Sequence, residues 1–408
     1  MQVFKSFDTL IPKNEFMTRW PVVACDQFTS QPEYWAELKA QVGNAPSALN
    51  CILPEAELKS CEEERYGIIR SSMRKYIDSG IFRKFENSFV YVERTLLDGS
   101  VRMGLVGVID LDAYDFHADA VSAIRATERT VEERIPPRMK VRRGAPMEMS
   151  HVLLLCDDEK ELIIEPLKGK KDKFEKVYDQ QLMMGGGHIC GYVVYGEEAR
   201  ELEQSIREYC ERKTKESGSV SPMLFAVGDG NHSLATAKAC YEELKKNGAD
   251  TAVLERARYA MVELENIRDD VQKFEPIHRL LTDVDREVLL GYLESNYCAA
   301  EGHEIKWISG EKRGSIYLDK NKGILPVAVL QNALDKYLES NPGAIDYIHG
   351  IDALESLSQA PGTIGFVLES LPKGDFFNGI EKDGVLPRKT FSMGEAQEKR
   401  YYLEAREL

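Results

Sequence analysis

Residues 223–248, MLFAVGDGNHSLATAKACYEELKKNG, change hydrophobic period midway, and that change restricts what the chain can build. Met223 to Val227 is an apolar run of strand length, Gly228-Asp229-Gly230 is a breaker, and from Ser233 the residues Leu234, Ala237, Tyr241 and Leu244 recur at helical spacing. The pattern predicts a strand, a tight glycine turn and a helix. Asn247-Gly248 supplies the stop, because both residues accept the left-handed conformation that ends helices. Asp229, Asn231, His232 and Ser233 fall where the first helical amides lack intrahelical partners, and the positive end of the dipole favours an anion there. The same residues also suffice for a plain turn and cap, with Gly228 and Gly230 bending the chain, Asn231 or Asp229 capping, and His232 merely starting the helix. The stretch is neither a Walker loop nor a GxGxxG dinucleotide fingerprint.

Composition narrows the partner. A chain of 408 residues with net charge −15 suits a small substrate better than nucleic acid, since phosphate backbones need clustered Lys and Arg. No apolar run approaches the roughly 20 residues of a membrane helix, and the start, MQVFKSFDTLIPKNEF, lacks a signal-peptide core, so a cytoplasmic protein is expected. Eight scattered cysteines without CxxC spacing read as reduced thiols, and seven histidines without HxH or HxxxH spacing argue against a histidine-built metal site.

Several segments carry further candidates. Trp20 to Ala24 reads as a buried strand followed by Asp26, either a site residue at a strand end or an N-cap for the helix that Pro32 opens and that runs to about Val42. Cys61 to Lys75 is a charged helix, and two strand-like runs flank Asp98-Gly99 as a hairpin. Arg125, Glu128 and Arg129 stand at helical spacing, which would put Arg125 beside both others on one face. The following basic run, Arg134, Arg138, Lys140, Arg142 and Arg143, is an anion-attracting rim or a solvated loop, with Pro136-Pro137 and Gly144 favouring the loop. His151–Leu155 and Glu161–Glu165 read as a strand pair. Gly186, Gly187 and His188, within a glycine run, would let backbone approach a ligand and line the same pocket. An amphipathic helix from Gly196 to Lys213 and the linker Glu216–Ser219 suggest a division near residue 200 into 1–200 and 201–408, or one interleaved unit.

GDGNHSLATA, taken with Pro276-Ile277-His278-Arg279, IDYIHGIDAL and the Gly384–Phe391 segment, resembles the signature of a bacterial and archaeal family called domain of unknown function 1015. That family's usual motif is roughly Asp-Gly-His-His-Arg, itself similar to the nucleotide-binding motif of the ParB/sulfiredoxin superfamily, which includes free-serine kinases. The resemblance runs from about Trp20 to Phe391. It implies an α+β fold of mixed sheets with flanking helices, a ParB/sulfiredoxin-like nucleotide-binding core elaborated by further α/β segments. Asn231 replaces the motif's first His and Ser233 its Arg, which removes a cation expected to face a transferring phosphoryl group. Arg279, a planar five-donor cation, could substitute for it.

The function this resemblance implies is nucleotide-dependent phosphoryl transfer to a small hydroxy amino acid, free serine first. ATP or ADP phosphates would lie on Gly228, Asp229, Gly230, Asn231 and Ser233, supported by His278, Gly186, Gly187 and His188, and magnesium would meet Asp229 with Asp26 as a second carboxylate. His232, Arg279 and Lys389 would neutralise developing charge, Glu128 would take the hydroxyl proton, and Asp26 and Arg125 would contact substrate. A residue like Glu128, read unaided, is more often a surface ion-pair partner than a base. A nucleotide-binding or nucleotide-hydrolysing regulator of the same superfamily is the alternative.

Overall fold

The computed structural model describes residues 2–58, 61–219, 221–387 and 389–408. The class is α+β, as expected: mixed sheets with flanking helices. The chain divides into two compact units, the first made of Met1–Ala126, Thr130–Gln272 and Glu395–Leu408, the second of Thr127–Arg129 and Lys273–Gly394. Residue 200 lies inside the first unit, within the helix Gly196–Ser217, and the chain visits each unit more than once.

Among the described residues, eleven strands form one mixed sheet in the first unit. The hairpin read around Asp98-Gly99 is there, Phe82–Thr95 paired antiparallel with Val101–Asp110. Alternation along these strands sends Val90, Val92, Val106 and Val108 to one face and Phe89, Tyr91, Leu105 and Ile109 to the other. Both faces are covered. Helices Pro32–Val42 and Glu63–Asp78 bury Trp35, Leu38, Ile69 and Met73 on the first, while Gly196–Ser217 and Asn231–Lys246 bury Leu202, Ile206, Leu234 and Tyr241 on the second.

In the second unit, six strands among the described residues form a sheet around Phe274–Thr282, which pairs with Ala344–His349, Ile364–Val367 and Phe391–Met393. No described helix is long and apolar enough to cross a membrane.

Three local expectations fail for identifiable reasons. Ile124–Ala126 is a strand, parallel to Phe225–Val227, so Arg125 does not share a helical face with Glu128 and Arg129. Glu161–Glu165 is no strand: the Asp158 carboxylate accepts from the Leu162 and Ile163 amides, curling the chain into the short helix Glu165–Lys168. The basic run is not a loop but the helix Ile135–Arg142, whose prolines stand in its first turn, where a missing amide costs nothing. Its cations are paired: Arg138 with Glu55 and Arg142 with Glu148, both at 2.7 Å, while Arg143 meets Glu243 at 2.7 Å and Lys140 meets Glu63.

Candidate functional site

The strand Phe225–Asp229, the turn at Gly230 and the helix Asn231–Lys246 follow the predicted order. Gly230 takes φ +80°, and an added Cβ would stand 3.0 Å from Val152 Cα and 3.4 Å from His151 Cδ2. A residue without a side chain therefore lets the turn press against that neighbouring backbone. Strand register supplies the neighbour. Leu153–Cys156 runs antiparallel to Phe225–Asp229 with Leu153 opposite Asp229, so His151, just upstream, falls beside the turn.

A fourth segment closes the group from far along the chain. Tyr401–Tyr402 pairs antiparallel with Val22–Val23, and the Ala24 amide donates to the Arg400 carbonyl at 2.9 Å. This alignment carries Asp26 and Lys399 to the same place. His151 Nε2 lies 3.5 Å from Asp26 Oδ2, its Nδ1 lies 2.6 Å from the Tyr402 hydroxyl, and Lys399 Nζ lies 3.4 Å from Asp229 Oδ2. Asp26 is not a helix cap, because the helix after it starts from Gln31, and Gln27 Nε2 donates to its other oxygen at 3.0 Å.

Charge follows from these contacts. Burial alone would raise Asp26, but the His151 imidazole, the Gln27 amide and Lys399 overcome it and hold the carboxyl well below the usual range. Burial would lower His151, and the carboxylates of Asp26 and Asp229 overcome that, raising it above the ordinary histidine value. Both shifts favour the charged pair, imidazolium beside carboxylate. Burial and the neighbouring Asp26 push the Cys25 thiol up to about 12, which leaves it a poor nucleophile at neutral pH.

Asp229 Oδ1 accepts from the Gly230 amide at 2.9 Å, while its buried Oδ2 accepts no hydrogen bond and faces Lys399. That oxygen stands at the start of the helix Asn231–Lys246, where the dipole favours an anion. His232 is not a cation here. Its Nε2 accepts from the Val131 amide at 3.2 Å, and burial with Arg138 and Arg134 lowers its pKa, so the neutral ring fixes the chain at Val131. Asn231 and Ser233 are half-buried in the same first turn.

Other predicted residues go elsewhere. Arg125 is buried and donates to the Ser122 and Ser221 carbonyls at 3.0 and 3.1 Å, a clamp on its own strand. Gly186 and Gly187 serve close packing within the protein: a Cβ on Gly186 would overlap the Tyr401 hydroxyl, and one on Gly187 would lie 2.6 Å from the Thr95 carbonyl. His188 belongs to a strand separated by four others from Phe225–Asp229, a spacing of about 24 Å along a sheet, and its Nε2 is 2.8 Å from Asp179.

Glu128, His278, Arg279 and Lys389 belong to the second unit. The Leu386 amide donates to the Thr127 carbonyl at 2.7 Å and Glu128 bridges Leu386, tying Glu128 to the segment that carries Lys389. Arg279 is fully buried, donating to Gln331 Oε1 and the Ile277 carbonyl at 2.6 Å and to the Lys389 carbonyl at 3.0 Å. It therefore holds the Lys389 turn. His278 Nδ1 accepts from the Leu368 amide at 3.1 Å inside the core, with its pKa lowered by burial, Arg279 and His349. Arg388, part of the resembling segment, lies outside the described residues.

His151, Lys399 and Tyr402 are the members that sequence reasoning missed. A lone His before a buried strand carries no pattern, and the pairing that delivers Lys399 and Tyr402 spans nearly the whole chain.

The chain belongs to the family described as protein of unknown function (DUF1015), whose model matches residues 4–348, so the Lys389 segment lies beyond the match. No curated protein sequence matches it. Among solved structures it is similar to a free serine kinase in complex with AMP, with TM-score 0.37 and 13% identity over 72% of this chain and 90% of that one. A conserved hypothetical protein from Pyrococcus furiosus gives TM-score 0.32 and 12% identity, covering 74% and 94% of the two chains. SbnI with a C-terminal truncation from Staphylococcus aureus gives 0.36 and 11%, covering 71% and 83%.

Proposed function

We propose that the protein is a nucleotide-dependent phosphotransferase acting on the hydroxyl of a small amino acid, serine being the first candidate. The observation that carries this reading is the assembly of Asp26, His151, Asp229 and Lys399 beside the Gly230 turn at the start of the helix Asn231–Lys246. ATP or ADP with magnesium would supply the phosphoryl group. The helix-start amides and Lys399 suit its negative charge, and the Oδ2 of Asp229 suits the ion. Asp26, the half-buried end of the pair, accepts the substrate hydroxyl proton, while the His151 imidazolium, held by Tyr402, orients that carboxylate. A depressed pKa does not disqualify Asp26, because a loose phosphoryl-transfer transition state needs positioning and charge more than a strong base.

Purified protein given serine, magnesium and either ATP or ADP should form phosphoserine, read by mass spectrometry. Glu128→Gln and Lys389→Met in the same assay test the roles implied by the family resemblance. Absence of turnover with every nucleotide and hydroxy amino acid tried would refute the kinase reading. Ser233 in place of the motif's Arg favours one alternative, a nucleotide-binding regulator, for which calorimetry would show nucleotide binding without consumption of any hydroxy acid.

A further inference from the structure

The edge of the large sheet carries a different chemistry. Glu175–Gln181 is its outermost strand on one side and pairs antiparallel with His188–Val194. Asp179 stands opposite Cys190, and Gln181 opposite His188, so the side chains of Asp179, His188 and Cys190 emerge on one face by simple alternation. Ile189, between the two ligand-type residues, turns to the apolar core on the other face. One donor atom from each of the three lies within 4.8 Å of the others, the one such group of His, Cys and carboxylate side chains among the described residues. His188 Nε2 is 2.8 Å from Asp179 Oδ1, and the Asp179 carboxylate also accepts from the Cys190 thiol.

We infer that Asp179, His188 and Cys190 form a binding site for a zinc-class divalent ion, with the solvent side of the edge strand leaving a fourth position to water. The donor set is one sulfur, one nitrogen and one oxygen, which zinc and its neighbours take readily and which calcium or magnesium does not. Tetrahedral bonds of about 2.0–2.3 Å separate donor atoms by about 3.3–3.8 Å, so side-chain rotation of about 1 Å closes the group. Three features of the strand pair support it. The bulge between Lys176 and Tyr178 is followed by regular pairing, which fixes the spacing of Asp179 and Cys190. Gly187, at φ +80° against the Thr95 carbonyl, fixes where His188 enters its strand. Lys176 Nζ holds Asp179 Oδ2 at 2.7 Å, leaving Oδ1 for the ion, as outer partners of metal-bound carboxylates do. Binding exchanges the hydrogen bonds that His188 and Cys190 make to Asp179 for three metal bonds, and the displaced protons pass to water.

The test uses the full chain, stripped with chelator and titrated with Co2+, then with Zn2+ in competition. Stoichiometric binding with a thiolate-to-cobalt charge-transfer band and tetrahedral visible bands is expected, and zinc should erase them. Cys190→Ser should abolish the thiolate band, and His188→Gln should weaken affinity by at least about 100-fold, since loss of an outer partner alone costs about 10- to 100-fold. A wild-type protein without the band, or a Cys190→Ser protein that keeps it, overturns the assignment. Should Cys190→Ser fail to fold, Asp179→Asn at the exposed strand decides: loss of the zinc-induced rise in melting temperature supports the site, and an undiminished rise refutes it. These readouts are independent of phosphoryl transfer.

Discussion

Asp26 and His151 neutralise one another, and their pH behaviour follows from the two shifts. The raised His151 contributes stability that is fully present below its unfolded value, about 6.5, and is lost as pH rises through its higher folded value. Asp26, depressed, contributes above about 3.9 and loses its contribution only as pH falls through its lower folded value. The contribution of the pair is thus whole between about pH 4 and 6.5 and declines on either side of that window. Denaturant melts across pH should show an alkaline loss that His151→Gln removes. Asp26→Asn, which keeps the shape and discards the base, should lower phosphoryl transfer by about 100- to 10,000-fold while leaving calorimetric nucleotide affinity nearly unchanged. Gly230→Ala meets two obstacles, a left-handed φ and Val152 at 3.0 Å. It should cost about 1–2 kcal/mol or more in urea unfolding and weaken nucleotide binding with it.

At the level of elements, sequence legibility tracks whether the forces are local. The strand, turn and helix from Phe225 to Lys246 were readable because hydrophobic period switches at Gly228–Gly230. The hairpin at Asp98-Gly99 was readable because its strands are neighbours. Arg125 misled because a strand as short as Ile124–Ala126 cannot display its own period, and only Phe225–Val227 alongside fixes its conformation. Of the site, the turn and Asp26 were visible, whereas His151 enters through the register of Leu153 against Asp229, which no local pattern encodes. Arg279 looked like a ligand-binding cation and is a buried fastener for the Lys389 turn. Arg279→Met should therefore destabilise the protein by about 3 kcal/mol or more in thermal or urea unfolding, because each buried acceptor left unpaired costs about 1–3 kcal/mol. Exposed Lys389→Met should shift stability by no more than about 0.5 kcal/mol.

Over the whole molecule, the division between units does not follow chain order. Glu395–Leu408 returns to the first unit, where Arg400 bonds Glu263 and Glu404 at 2.8 Å in the core and Tyr401–Tyr402 completes the pairing with Val22–Val23. Deleting residues 395–408 should therefore do more than trim a tail. It strands Glu263 without its buried partner Arg400, a loss of about 3–5 kcal/mol, and limited proteolysis should cut the first unit of the truncated protein throughout.

That return also has a consequence during synthesis. A nascent chain stopped between residues 247 and 394 holds the Gly230 turn, Asp26 and His151 but lacks Lys399 and Tyr402, so the ribosome must first deliver the entire second unit. Translation order thereby keeps the cluster of Asp26, His151, Asp229 and Lys399 incomplete until the second unit has been made.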